Sequence, residues 1–394
     1  MKKQIVGERI RQLRLARSLS LEALAAKMGG IVTRQALSKY ELGKANPSPY
    51  VLNKLAETLG VKTSYFLTEP EIVVEFIAYR KSHRLLKKDK KSLQVLIGHR
   101  LEMRAQIKNL LGQDVDFHIP LKEFKVRNLE DTELAAEQLR HNWKLALNPI
   151  QNLVAILEDN ALSVLDIEAS SAFDGISAIV RDRENHIKTA ALVTRRGIAG
   201  ERQRLNLAHE LGHLVLDIAE NIDEEKAAFR FGAAFLAPAP KIYQEVGEKR
   251  AFIQLQELML LKKQYGLSLQ ALVCRLHDLQ IINDSYYKQW FKEFNRLGWR
   301  KREPQERAFE KSYWLKQSVL RLVAEGAMTE LDAQRFLGEK LKLDTPASVK
   351  ERRVFMKLPI DKRQEILRQQ ASQVATHYDK DNEWRELEEG GDLY

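Results

Sequence analysis

Five positions, His209-Glu210-Leu211-Gly212-His213, constrain this chain of 394 residues more than any other feature. Two histidines four apart face the same way on a helix, so the motif predicts a helix that offers two imidazoles to one Zn²⁺. Glu210 beside them is the candidate catalytic residue. A zinc ion lowers the pKa of its water, and a neighbouring carboxylate can take that proton and later deliver it to a leaving amine. Two imidazoles are insufficient, and the run Asp223-Glu224-Glu225-Lys226-Ala227-Ala228-Phe229-Arg230-Phe231 offers carboxylates on the next helix. The competing reading is a pair of helix-face histidines packed against polar groups and binding nothing.

The surrounding sequence carries a resemblance. Pro149-Ile150, Phe173-Asp174-Gly175, Glu201-Arg202-Gln203-Arg204, the His-Glu motif and Glu225 through Pro238 make residues 141–304 similar to ImmA/IrrE-type metallopeptidases. That resemblance implies Glu225 as the third metal ligand beside His209 and His213, with Glu224 second in order. It also implies a gluzincin-like α+β domain, with a short sheet from about Ser163 to Val193 edging the cleft. Apolar runs at 162–167 and 187–193 are short enough for strands, and strand backbone can bind a peptide by edge pairing. Gly232 and Asn206 stand where the family more often has alanine and a hydroxyl residue, which predicts looser local helices with the ligands intact. Cys274, on an apolar helix, reads as core, and His277 has no paired motif.

The first sixth of the chain reads differently. Residues 1–68 hold twelve Lys and Arg against four Glu, most of the net charge of +10, the footprint of a phosphate-backbone binder. Ile10, Leu13, Leu21, Leu24, Ala25 and Met28 recur at helical spacing, Ser20 starts the second helix and Gly29-Gly30 stops it. Thr33 is the N-cap of the next helix, and Gly43 ends it. Leu52, Leu55, Ala56 and Leu59 supply a covering helix that ends at Gly60. The strings Leu24-Ala25-Ala26-Lys27, Gln35 through Lys44, Pro47-Ser48 and Leu55 through Val61 resemble the XRE (Cro/repressor) DNA-binding domain, a five-helix lambda-repressor-like helix-turn-helix fold. That resemblance sends the start of the third helix into the major groove. Arg34 then suits guanine and Gln35 adenine, while Ser38, Lys39, Lys44 and Asn46 suit the backbone, with Thr33 at the helix start. The turn at Gly29-Gly30-Ile31-Val32 is about two residues longer than usual in that family.

Residues 69–140 read as a helical linker, with one long helical stretch over 70–112 and a basic cluster of Arg80, Lys81, Arg84, Lys87, Lys88, Lys90 and Lys91. Residues 305–354 read as a helical extension. Residues 355–394 read as an amphipathic helix and an acidic tail, where seven carboxylates follow position 378 against two cations. This last piece resembles the toxin-wrapping segment of small bacterial antitoxins. The fold class expected is mainly α with a smaller α+β part. A single cysteine excludes internal disulfides and thiolate zinc clusters and fits a reducing cytoplasm. No apolar run is long enough for a membrane span, and the Met1-Lys2-Lys3 start lacks a signal core. The expected function is a cytoplasmic, homodimeric regulator that binds operator DNA and carries a Zn²⁺-dependent peptidase acting on a repressor or antitoxin protein. The alternatives are a regulator whose metal domain is a non-catalytic sensor, and an antitoxin-like regulator that holds a toxin through its tail.

Overall fold

The computed structural model describes residues 2–77, 87–113, 117–122, 124–341 and 354–378. The chain divides into a unit of residues 1–338 and one of residues 339–394. Helices predominate, and among the described residues a four-stranded sheet and a two-stranded one lie within the first unit.

The amino-terminal domain packs α1 (Lys2–Ala16), α2 (Leu21–Lys27), α3 (Arg34–Glu41), α4 (Pro49–Leu59) and a 3-10 turn, Thr63–Leu67, which is the fifth helical element. Ser20, Thr33 and Ser48 each accept a backbone N–H three residues on, satisfying amides that a helix start leaves open. Gly60 closes α4 at φ 62°, a left-handed value that glycine adopts without penalty. Ile10, Leu13, Leu24, Met28, Leu37, Leu55, Leu59 and Phe66 form the core. Val32, from the longer turn, is buried among them, while Gly29, Gly30 and Ile31 stay exposed. Gly7 lets α1 touch α3, because a Cβ there would lie 2.4 Å from the Tyr40 carbonyl oxygen.

Strand β1 (Val73–Ile77) and helix α5 (Lys87–Leu110) follow. The expected single helix over 70–112 is thus corrected: its first part is a strand, paired antiparallel to a partner a hundred residues away. Local periodicity does not report such long-range pairing. Of the basic cluster, Arg80, Lys81 and Arg84 lie outside the described residues.

Beyond β2 (Lys125–Val126), α6 (Asp131–Asn142) and α7 (Leu153–Asp159) come β3 (Ser163–Ile167), β4 (Gly175–Arg181) and β5 (Ile187–Arg195). The sheet order is β1-β4-β5-β3, with β3 and β5 parallel and the other pairs antiparallel. The pleat sends alternate side chains to opposite faces. Ala191 and Val193 pack toward Leu93, Ile97 and Leu101 of α5, while Ala190 and Leu192 pack toward the helices on the other face. β4 is therefore interior, and β1 occupies its outer edge from Ser177 to Arg181, so a peptide has no edge to pair with there.

The opposite face carries α8 (Gly200–Val215), β6 (Asp217–Ile218), α9 (Glu224–Leu236), α10 (Ala239–Val246), α11 (Leu255–Tyr265), α12 (Leu269–Asp278) and α13 (Asp284–Arg296). Residues 305–313 then run as an extended strap across the start of α8 before α14 (Trp314–Ala324) and α15 (Glu330–Leu337). Glu310 accepts the Leu153 and Val154 amides at 2.7 and 3.0 Å and pairs with Arg204, which has no exposed surface. In the second unit the described helix Ile360–Tyr378 leaves Ile360 and Leu367 exposed. The acidic positions 379–394 lie outside the described residues. Among the described residues no helix is long and apolar enough to cross a membrane.

Candidate metal centre and nucleic-acid interface

Helix α8 is buried along nearly its whole length, and it meets α9 at backbone distance. Two glycines allow this. A Cβ on Gly212 would lie 3.1 Å from Ala228 Cα, and one on Gly232 would lie 3.0 Å from the His209 amide nitrogen. Gly232 thus stands at the closest approach of α9 to the metal motif, where a side chain would press on the α8 backbone. Asn206 ties down its neighbourhood by donating to the Asp174 carbonyl at 3.3 Å.

The approach brings His209 and His213 of α8 together with Glu225 of α9, one ligand atom from each lying within 4.8 Å of the others. The two Nε2 atoms are 3.1 Å apart. Glu225 Oε2 is 3.4 Å from His209 Nε2, and its Oε1 is 3.5 Å from His213 Nε2. Ligand atoms held tetrahedrally at zinc distances of about 2.0–2.1 Å sit about 3.3 Å apart, so this nitrogen, nitrogen and oxygen set fits a zinc ion. Glu224 faces elsewhere: its Oε1 lies 3.2 Å from His213 Nδ1, behind the ring. The Phe229 ring lies against His209, centroids 4.0 Å apart, and His209 Nδ1 has no hydrogen-bond partner among the described residues.

Glu210 is buried beneath β4. A Cβ on Gly175 would lie 3.0 Å from Glu210 Cγ and Oε1, so the start of β4 is shaped to admit this side chain. Glu210 Oε2 is buried without a hydrogen-bond partner among the described residues. Burial pushes the carboxyl up to about 7, against the opposing pull of His209 and Ser177. A cavity of about 680 Å³ lies between the start of α8, α9, α12 and α13, with Leu205, Lys226 and Phe229 in its wall, and none of His209, Glu210, His213 and Glu225 lines it. Cys274 also lines it, and burial pushes its thiol up, away from the reactive thiolate. His277 stacks on Tyr287 and pairs with Asp284, remote in sequence and role from the ligands.

Sequence reading missed the charges that hold this scaffold. Arg275 pairs with Glu133, Lys262 with Glu201 and Glu303, and Arg140 donates to three backbone carbonyls. All but the half-buried Glu133 are buried, and residue type alone signals surface for Arg, Lys and Glu.

At the other end, Arg34, Gln35 and Lys39 are exposed on α3, and Lys44 and Asn46 are exposed on the loop after it; Ser38 is half-buried. Thr33 caps α3 with its hydroxyl, which accepts from the Ala36 amide at 3.2 Å. Arg34 also reaches Glu22 at 2.8 Å, both side chains being more than half exposed, a pair weak enough for a phosphate or base to displace.

Comparison with known proteins agrees with both ends. Residues 10–66 match the helix-turn-helix family, and residues 185–277 match the IrrE N-terminal-like domain. An SPbeta prophage-derived uncharacterized HTH-type transcriptional regulator, YonR, from Bacillus subtilis (strain 168) is 41% identical over 61 residues. That match covers 16% of this chain and 55% of the relative's length.

Proposed function

We propose that this chain, which carries an XRE-type helix-turn-helix domain and an IrrE-like domain, is a transcriptional regulator with a zinc-dependent endopeptidase built into it. The DNA-binding domain takes double-stranded operator DNA as a homodimer, with Arg34 and Gln35 reading bases and Ser38, Lys39, Lys44 and Asn46 holding phosphates. The peptidase domain, gluzincin-like in its arrangement, cleaves a repressor or antitoxin protein.

The observation that carries the enzymatic reading is the convergence of His209, His213 and Glu225, with the unpartnered Oε2 of Glu210 buried beside them. His209, His213 and Glu225 would hold the ion, and Zn²⁺ would supply Lewis acidity toward a peptide carbonyl and a water. Glu210 takes the water's proton on Oε2 and returns it to the leaving amine. Gly175 leaves open the space that carboxylate occupies, and β4 and α9 wall the site on two sides.

Elemental analysis tests the ligand set first. Wild type is expected to hold about one zinc per chain, and His213→Ala and Glu225→Ala to lose it. Glu210→Gln is expected to keep zinc and to lose cleavage of the partner protein by about 10²-fold or more. Zinc retained in Glu225→Ala would remove that residue from the centre, and a metal-free wild type would favour a DNA-binding regulator with a degenerate peptidase fold.

A further inference from the structure

A second cavity, of about 640 Å³, lies where the helix-turn-helix domain meets α5 and the turn between α14 and α15, and it shares no residue with the metal centre. Its volume is that of a small-molecule site. The polar floor is already saturated. Arg9 donates to both oxygens of Glu102 at 2.6 and 2.7 Å and to the Thr68 carbonyl at 3.0 Å. Tyr65 donates its hydroxyl proton to Glu102 at 3.0 Å and accepts from Arg9 at 3.0 Å.

Two groups on the wall are left with unused capacity. Arg17 is half-buried and donates only to the Leu13 carbonyl of its own helix, at 3.3 Å; no carboxylate pairs with it among the described residues. Its guanidinium borders Gly60, another wall residue, where a Cβ would lie 3.7 Å away. His99 Nδ1 lies 3.1 Å from the Tyr65 hydroxyl. With the hydroxyl proton on Glu102, the ring nitrogen is the donor at this contact and Nε2 is the ring's acceptor. Burial together with Arg17, Arg9 and Arg100 keeps the ring neutral, its pKa lowered to about 3. The other charges on the wall are spoken for: Lys62 pairs with Asp332 at 2.7 Å, Arg335 with the same carboxylate at 3.0 Å, and Glu69 with Arg183 at 3.3 Å, while Glu71 stands exposed at the rim. The rest of the wall sets apolar Val61, Met103, Leu110, Met328 and Phe336 beside Ser64, Gln106, Asn109 and Thr329.

We propose that this cavity is an effector site for a small organic acid with an apolar body, which sets its carboxylate on Arg17 and a hydroxyl or amine hydrogen on His99 Nε2. An unpaired guanidinium in a half-buried wall selects an anion, a neutral imidazole acceptor selects a donor, and the methionines and Phe336 select a body between them. One wall belongs to the DNA-binding domain and the others to α5 and α15, so an occupant touches both sides of that junction. Differential affinity for two settings of the junction then appears as a change in operator affinity.

The probes are 4-hydroxybenzoate, benzoate and 4-hydroxybenzyl alcohol, titrated into the full-length protein by calorimetry and thermal shift. Expected is a rise in melting temperature with both acids, tighter binding of 4-hydroxybenzoate than of benzoate, and no binding of the uncharged alcohol. Arg17→Gln is expected to weaken 4-hydroxybenzoate at least tenfold, and His99→Phe to abolish the preference for the hydroxylated acid. Met103→Trp fills the cavity from its apolar side with both polar groups intact, so it must also abolish binding while zinc content is unchanged. Equal binding of the alcohol, equal binding by Arg17→Gln, or no binding of either acid to folded wild type would overturn the assignment. Operator affinity measured with and without saturating 4-hydroxybenzoate must differ; identical values would refute the effector role while leaving the DNA-binding reading intact.

Discussion

Glu224 and Glu225 are neighbours in sequence with unlike work. Glu225 converges with the two histidine Nε2 atoms, whereas Glu224 holds His213 from behind through Nδ1. A carboxylate behind a ligating imidazole fixes its tautomer and raises its basicity, and losing one costs about 10–100-fold in metal affinity. Glu224→Gln is therefore expected to weaken zinc by about that factor in a chelator competition, and Glu225→Gln to eliminate stoichiometric binding; equal losses would contradict the division of labour. A second residue-scale expectation concerns His99. Its pKa is held near 3 in the folded chain, against about 6.5 unfolded. Between those values the unfolded chain takes up a proton that the folded ring refuses. Stability from this group is therefore whole above pH 6.5 and falls toward pH 3, by up to about 1.4 kcal/mol per pH unit. Denaturant titrations from pH 7 to pH 4.5 should show a shallower decline in His99→Gln than in wild type. The sequence made the candidate metal ligands legible because their spacing is itself a chemical requirement and the resemblance supplied Glu225. It did not make Glu224 or His99 legible, since their roles depend on which neighbour the fold sets behind each ring.

At the scale of elements, caps and apolar spacing disclosed the amino-terminal helices, and Ser20, Thr33 and Gly60 stand where local rules require them. β1 and the strap at 305–313 were illegible for a common reason: both are fixed by partners about a hundred residues away. The strap donates from Arg307 to a Glu201 carboxylate oxygen at 2.8 Å and from Glu310 to the Gln203 side-chain carbonyl at 2.7 Å, gripping the first turn of the helix that carries the metal motif. Gly200 makes the grip possible, because a Cβ there would lie 2.3 Å from the Ala308 carbonyl oxygen. Gly200→Ala must push the strap away or strain the helix start. We expect a loss of about 1–3 kcal/mol in urea unfolding, with faster proteolysis within 305–313. Glu310→Ala removes the partner of a fully buried guanidinium, Arg204, and leaves two α7 amides open, so a loss of about 3–5 kcal/mol is expected. A change under 1 kcal/mol would mean that the strap is not what seats α8.

For the molecule as a whole the decisive element is α5, which is bonded on both sides. Toward the DNA-binding domain it offers Glu102 to Arg9, a pair whose side chains are 7% and 3% exposed. Toward the sheet, Arg100 donates to the Asp166 carbonyl at 2.9 Å and Arg104 to Glu158 at 2.9 Å, while Leu93, Ile97 and Leu101 enter the apolar layer. Such an arrangement should make the helix-turn-helix domain and the sheet unfold together, since neither can melt without uncovering α5. Breaking a buried pair from one side leaves an uncompensated charge and costs about 3–5 kcal/mol, whereas replacing both partners by apolar groups is near neutral. Arg9→Met should therefore split the calorimetric unfolding of the full chain into two transitions, the earlier one belonging to residues 2–68. Adding Glu102→Leu to Arg9→Met should bring them closer together without merging them, because the uncompensated carboxylate is gone while the Thr68 carbonyl and the Tyr65 hydroxyl still lack the partners they had. Were Arg9→Met to keep a single transition at the wild-type temperature, the domain would be attached to α5 by covalent connection alone, and no ligand at that junction could reach the operator through it.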